Sequence, residues 1–370
     1  MHRRAAAIAV PMTAIALVVS SCASIPEDWR TPAFLQSDDE ELDSRLPDVT
    51  GEVGEEPEIT IPDIAPPDEE ISGIVSQGSG EEGLVAADDL VVANVVQYQW
   101  TAPGEGEPVE GQSSYESGAP DLIRMDQMPE YITDTLVSQP LDSRAVYVFP
   151  PLSEEEKAQA EQMGQPAPEG ASVLVMDMVD SFSQGAVVPG EQTEDGGGDL
   201  PTVTQDGHSE PVIDVPDTDA PDELEVTPLI EGQGDEVEEE QQIVAQYTGV
   251  RWEPEEESGE NEVFDSSWAQ GGVPFDTPIG GGAVIEGWDE GIVGENVGSR
   301  LMLVVPPDLA YGDDAEEQGA PAGTLVFVVD ILGAYDNPPP PELDEEGDPE
   351  APEEGADEEA DEEADEEESE

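Results

Sequence analysis

Two kinds of periodicity divide the C-terminal part of this chain. Leu301 to Val305 (LMLVV) and Leu325 to Leu332 (LVFVVDIL) are apolar runs rich in β-branched residues, bounded by Pro306-Pro307 and by Gly323. They predict buried antiparallel strands. Ile285 to Val293 instead spaces Ile285, Trp288 and Ile292 at helical intervals, which predicts a short amphipathic helix. Strands and one helix in a block of this size predict an α+β domain with one modest core.

The same order of segments occurs earlier in the chain. VVANVVQYQW at Val91 to Trp100 pairs with IVAQYTGVRW at Ile243 to Trp252, and SSYESGAP pairs with SSWAQGGVP. DSRAVYVFPP at Asp142 to Pro151 pairs with GSRLMLVVPP at Gly298 to Pro307, and APEGASVLVMDMV pairs with APAGTLVFVVDIL. Four matched segments in one order predict a duplicated domain, with copies at residues 82–183 and 239–335.

Outside the copies the pattern lapses. Residues 22–81, 184–238 and 336–370 are rich in Pro, Asp, Glu, Ser and Gly, and are expected to be a disordered acidic tether, linker and tail. The tail ends in DEEADEEADEEESE, whose self-repulsion favours an expanded coil. Residues 1–21 read as a signal peptide: Arg3 and Arg4 precede the apolar stretch Ala5 to Val19, too short and too interrupted by Pro11 for a membrane span. That stretch runs into Val19-Ser20-Ser21-Cys22, which resembles the bacterial lipobox. The resemblance implies lipidation of Cys22 and attachment to the extracytoplasmic face of the cell membrane.

Composition narrows the chemistry. The formal charge of −83 repels nucleic acid and anionic lipid headgroups. Cys22 is the sole cysteine, which excludes a disulfide within the monomer. The two histidines are His2, in the signal, and His208, in the linker, so a catalytic triad, a cysteine nucleophile and a Cys/His zinc site are excluded by inventory. Gly280 to Gly282 lacks the following Lys-Ser/Thr of a phosphate loop and reads as a turn. No metal or cofactor is called for.

Within residues 239–335, Tyr247, Phe264, Trp268, Phe275, Trp288, Tyr311 and Phe327 stand in the contexts VAQYTG, VFDSSW, VPFDTPIGGGAVIEGWDEGI, VGSRLMLVVPPDLAYG and APAGTLVFVVDIL. This series closely resembles the FKBP family of peptidyl-prolyl cis/trans isomerases. The resemblance implies an antiparallel sheet of about five strands wrapped around the short helix, with a ligand pocket between them. It further implies Trp288 as the pocket floor, Tyr247, Phe264, Val284, Ile285 and Phe327 as walls, and Phe275 at the rim. Asp265 and the Tyr311 hydroxyl would supply polar contacts, and the Ile285 backbone N–H would hold a substrate carbonyl. The segment after Tyr311, DDAEEQGAPAG, is acidic where family members usually carry an apolar loop.

Prolyl isomerisation suits the inventory. Its barrier, about 18 to 20 kcal/mol, is amide resonance lost as the C–N bond twists. Twisting reduces charge separation, so a water-poor apolar pocket favours the twisted form over the planar one. In the first copy, Val95 stands opposite Tyr247, Gly111 opposite Phe264, Gln112 opposite Asp265, Ile132 opposite Trp288 and Leu174 opposite Phe327. Its pocket is dismantled, and the acidic run Ser153 to Met163 replaces the Tyr311 segment with a predicted helix. The function expected is isomerisation of X-Pro bonds in secreted or cell-envelope polypeptides by a monomer that assists their folding. The alternatives are a lipid-anchored module that binds proline motifs with little turnover, and an acidic surface that buffers cations or adapts the chain to salt.

Overall fold

The computed structural model describes residues 42–81, 83–162, 168, 170–192, 196–254, 261, 263–312 and 314–338. The expected signal peptide at residues 1–21, Cys22 and the tail beyond Pro338 lie outside the described residues. Each copy is an antiparallel sheet of six strands with a short helix on one face.

In the first copy the strands are β3 (Ile71–Ser76), β4 (Leu90–Ala102), β5 (Glu105–Ser113), β6 (Asp121–Arg124), β7 (Ser143–Phe149) and β8 (Ala171–Phe182), in the order β3-β7-β8-β4-β5, with β6 also paired to β4. The second copy repeats this with β11 (Glu225–Ile230), β12 (Gln242–Arg251), β13 (Val263–Ser266), β14 (Phe275–Pro278), β15 (Arg300–Val305) and β16 (Leu325–Tyr335). Their order is β11-β15-β16-β12-β13, with β14 also paired to β12. The helices α1 (Ser114–Ser117), α2 (Glu130–Leu136), α3 (Glu154–Gln162) and α4 (Glu286–Ile292) are all short. The predicted helix at Ile285 to Val293 is α4, and the acidic run of the first copy forms α3. Among the described residues no helix is long and apolar enough to cross a membrane.

The structure corrects the tether and linker in three respects. Each sheet has six strands rather than about five, because β3 and β11 come from segments assigned to the tether and the linker. Two hairpins also form there: β1 (Asp48–Thr50) with β2 (Glu58–Thr60), and β9 (Thr202–Thr204) with β10 (Val212–Asp214). Third, the linker is docked, since the Val188 amide bonds to the buried Asp330 carboxylate and the Gly185 amide donates to the Gly272 carbonyl. Only alternate residues of a hairpin need be apolar when one face meets a sheet. Val49 and Ile59 pack on the first copy, and Val203 and Ile213 on the second, while their acidic neighbours face water.

Each hairpin covers the sheet face opposite the helix, so both faces are buried. In β15, Leu301, Leu303 and Val305 face the helix, and Met302 and Val304 face the hairpin side. That is why the strand reads as a continuous apolar run rather than an alternation. The duplicated unit therefore begins with its hairpin. Val49-Thr50, five residues, then Glu56-Pro57 and Ile59 match Val203-Thr204, five residues, then Glu210-Pro211 and Ile213.

A buried ion pair ties adjacent strands in both copies. Arg144 Nε lies 2.6 Å from Asp177, and Arg300 Nε lies 2.5 Å from Asp330. Asp177 also accepts from the Tyr115 hydroxyl and the Gly54 amide, both at 2.7 Å. The Arg144 guanidinium donates onward to the carbonyls of Thr50, Gly51, Glu52 and Glu55 in the turn of the first hairpin. Full pairing offsets the cost of burying these charges.

The copies pack on each other through Leu90, Val92, Phe182 and Val244, with Tyr335 alongside. The Tyr335 hydroxyl donates to Asp180 at 3.0 Å. Beyond β16 the chain is pinned for two residues, as Gln241 bonds to Asp336 and Asn337 to the Glu240 carbonyl.

Candidate active site

The site of the second copy lies between its sheet and α4. Its floor depends on close contact between them: a Cβ at Gly287 would sit 2.3 Å from Val305, so only glycine lets the helix settle there. The next residue, Trp288, is thereby held against the sheet, buried to 4% exposure. A Cβ at Gly249 would lie 2.8 Å from the Phe264 ring and 2.9 Å from the Phe327 ring. Its absence leaves space for both rings in the wall.

Five edge-to-face contacts lock the aromatic residues together. Trp288 meets Tyr247 at 5.4 Å, Phe327 at 5.5 Å and Phe275 at 6.3 Å between ring centres. Tyr247 meets Phe275 at 5.5 Å, and Phe264 meets Phe327 at 5.6 Å. Such perpendicular pairs contribute about 0.5–1.5 kcal/mol each beyond area burial. The pocket walls are preorganised before any ligand arrives.

Register places the polar groups. The Ser267 hydroxyl accepts the Tyr247 amide at 3.0 Å and donates to Gln246, fixing β13 beside β12 so that Asp265 pairs with Gly249. Asp265 then accepts the Tyr247 hydroxyl at 2.7 Å and the Gln270 amide at 3.2 Å. Burial, reinforced by the Asp265 charge, pushes the Tyr247 phenol well above its ordinary value. Tyr311 is raised by the same two causes, so both hydroxyls stay protonated at neutral pH. Tyr311 is half exposed, and its hydroxyl has no hydrogen-bond partner among the described residues.

The loop into α4 is set by Asp289, which accepts the amides of Gly280 and Gly282 at 2.7 and 2.8 Å. Both glycines have φ near +80°, so the glycine run is the turn its sequence predicts. This aims Val284 and Ile285 at the cavity. The Ile285 amide has no partner among the described residues, and the buried Trp288 indole N–H is likewise unpaired among them. A buried donor left unpaired, as the indole N–H is, is costly unless a ligand meets it.

Tyr247, Phe264, Asp265, Phe275, Val284, Ile285, Trp288, Tyr311 and Phe327 all line one cavity of about 460 Å³. The sequence reading missed Ala283, Glu286 and Ala310, which complete the lining. Each is a chain neighbour of a residue it did name, and that adjacency was the available signal. Cys22 lies outside the described residues.

In the first copy the floor of the equivalent space is filled, and what remains is a separate cavity of about 350 Å³ beside Val95, Gln97, Gly111 and Gln112, bordered by Asp336, Asn337 and Pro338. Tyr147, from β7, is almost fully buried and donates to the Ile132 carbonyl at 3.1 Å, occupying the region beneath α2. Tyr131 stands where α4 has Gly287, and packs its ring on Phe149 at 5.5 Å.

Comparison with known proteins gives one consistent result. The family profile described as FKBP-type peptidyl-prolyl cis-trans isomerase matches residues 234–332. A FK506-binding protein of Streptomyces anulatus is 38% identical over 124 residues, covering 33% of this chain and 94% of the relative. A probable FK506-binding protein of Corynebacterium glutamicum is 37% identical over 124 residues, covering 34% of this chain and 98% of the relative. The solved structure of AtFKBP13 is 35% identical and covers 31% of this chain and 94% of its own, with a TM-score of 0.26.

Proposed function

We propose that this chain, which belongs to the FKBP-type peptidyl-prolyl cis-trans isomerase family, acts on X-Pro bonds of extracytoplasmic polypeptides through the pocket of its second copy and assists their folding. One observation carries the assignment of the site: nine residues scattered from Tyr247 to Phe327 converge on a single aromatic-lined cavity.

The chemistry follows from that lining. A proline ring entering the cavity rests against Trp288 between Tyr247, Phe264 and Phe327. The Ile285 amide, unpaired until then, takes a substrate carbonyl and holds one side of the bond. The other side turns within apolar walls, where loss of charge separation on twisting is favoured over the planar imide. Asp265 positions the Tyr247 ring by its hydrogen bond and faces the polar end of the cavity. No group must be ionised or deprotonated, which suits a site without histidine or cysteine.

The extracytoplasmic setting rests on sequence: the apolar stretch Ala5 to Val19 leading into Cys22, and a charge of −83 that disfavours nucleic acid. Cys22 is the proposed lipid anchor, and the chain works as a monomer.

The test is isomerisation of a blocked X-Pro peptide by the full chain. Phe264→Ala and Asp265→Ala should each lower kcat/KM about tenfold or more, or about 1.4 kcal/mol of transition-state stabilisation. Full activity in the double variant would place the site elsewhere. Cys22→Ser should release the chain from membranes, and unchanged fractionation would sink the anchor.

A further inference from the structure

We infer, resting on the reading above, that this pocket selects X-Pro segments with a cationic side chain beside the proline, and that Glu286 together with Asp265 makes the selection. Two charged residues line the cavity, and both are carboxylates from different walls: Asp265 on β13 and Glu286 at the first turn of α4. Both are exposed, so they stand at the mouth rather than on the floor.

Neither charge is neutralised from within. Asp265 accepts hydrogen bonds only from the neutral groups of Tyr247 and Gln270. Glu286 has no hydrogen bond or ion pair among the described residues. Residues 239–335 contain two basic residues, Arg251 and Arg300. Arg300 is locked to Asp330 in the core, and Arg251 does not line the cavity. Carboxylates above a low-dielectric aromatic floor focus a negative potential at the entrance. A lysine or arginine side chain there keeps its head in water while its stem lies along the apolar wall. An acidic neighbour of the proline meets repulsion from two sides.

The experiment uses the full chain and blocked tetrapeptides that differ only in the residue before proline: lysine, acetyl-lysine or glutamate. Both kcat/KM for isomerisation and Kd by titration are measured at low and at about 1 M salt, where the screening length falls to about 3 Å. Exposed pairs of this kind correspond to roughly two- to fivefold each. The expected order is lysine over acetyl-lysine by about threefold and over glutamate by about tenfold at low salt, with both ratios collapsing at high salt. Glu286→Gln should reduce the lysine-to-glutamate ratio about threefold, and Glu286→Lys should bring it to one or below. Equal values for the three peptides at low salt would overturn the inference. So would a lysine preference untouched by either Glu286 variant, because it would then arise from the net charge of the whole chain. If the acetyl-lysine peptide were not isomerised at all, the functional reading would fall, while the Kd ratios would still decide the charge preference.

Discussion

Where β12 carries Gly249, β4 carries Gln97; where α4 carries Gly287 and Trp288, α2 carries Tyr131 and Ile132. These few exchanges separate an aromatic-lined cavity from one that has lost its aromatic walls and whose floor Tyr147 fills. The surrounding frame is common to both copies. Arg144–Asp177 matches Arg300–Asp330, Ser114 takes the Val95 amide as Ser267 takes that of Tyr247, and Trp100 and Trp252 are both buried beneath the hairpins. The comparison teaches that frame and pocket are separable. The frame is held by charge pairing, register and the hairpin-side core, whereas the pocket depends on two glycines that withhold volume and one tryptophan that supplies a floor.

The largest effect should come from breaking the frame. Arg300→Leu leaves Asp330 buried without its cation, at a cost of about 3–5 kcal/mol in unfolding free energy, measured by denaturant titration. Arg144→Leu should cost at least as much, and should further expose the turn between β1 and β2 to protease, because Arg144 alone binds four carbonyls of its hairpin turn. Equal protease sensitivity of the two variants at their hairpins would remove that distinction.

Next comes conversion of one copy toward the other. Gly249→Gln installs the first-copy residue where the Phe264 and Phe327 rings now pack, and should lower X-Pro turnover about a hundredfold, equivalent to about 2.7 kcal/mol. The fold should persist, since β4 accommodates glutamine at the same position. Retained turnover in this variant would show that the cavity tolerates the added side chain and that Gly249 does not distinguish the copies.

The smallest effect is with pH. Burial raises the phenols of Tyr115 and Tyr147 in the first copy, Tyr247 in the second and Tyr335 between them. Their folded values lie above the unfolded value near 10.0, so between the two the folded chain holds more protons. The stability these phenols contribute is therefore full below about pH 10 and declines as pH rises further. Tyr147→Phe should soften that decline without altering X-Pro turnover, whereas a decline of unchanged slope would show that Tyr147 does not contribute to it.

Much of the site was legible because its residues are distinctive in kind and order. An aromatic series spaced through strand and helix patterns needs no coordinates to be noticed, and Trp288 and Phe327 could be named from their local text. The dismantling of the first copy was legible in the same way, from Val95, Gln112 and Ile132. The hairpins were missed although their matching Val-Thr and Glu-Pro segments stand in the text, because acidic composition masked strands only three residues long. Glu286 was passed over because a charged residue beside an apolar motif looks like ordinary helix surface.

Periodicity and side-chain identity are properties of the chain, and they were enough for the duplicated α+β frame, the family and nine of the twelve residues that line the pocket. Tertiary structure alone decided that the acidic segments dock, that Arg144 serves a hairpin while Arg300 does not, that Tyr147 fills the floor of the lost site, and that Glu286 faces the entrance. Each of these is a contact between residues distant in the chain. Such contacts depend on which faces meet once the sheets are buried on both sides, and no local pattern encodes that meeting.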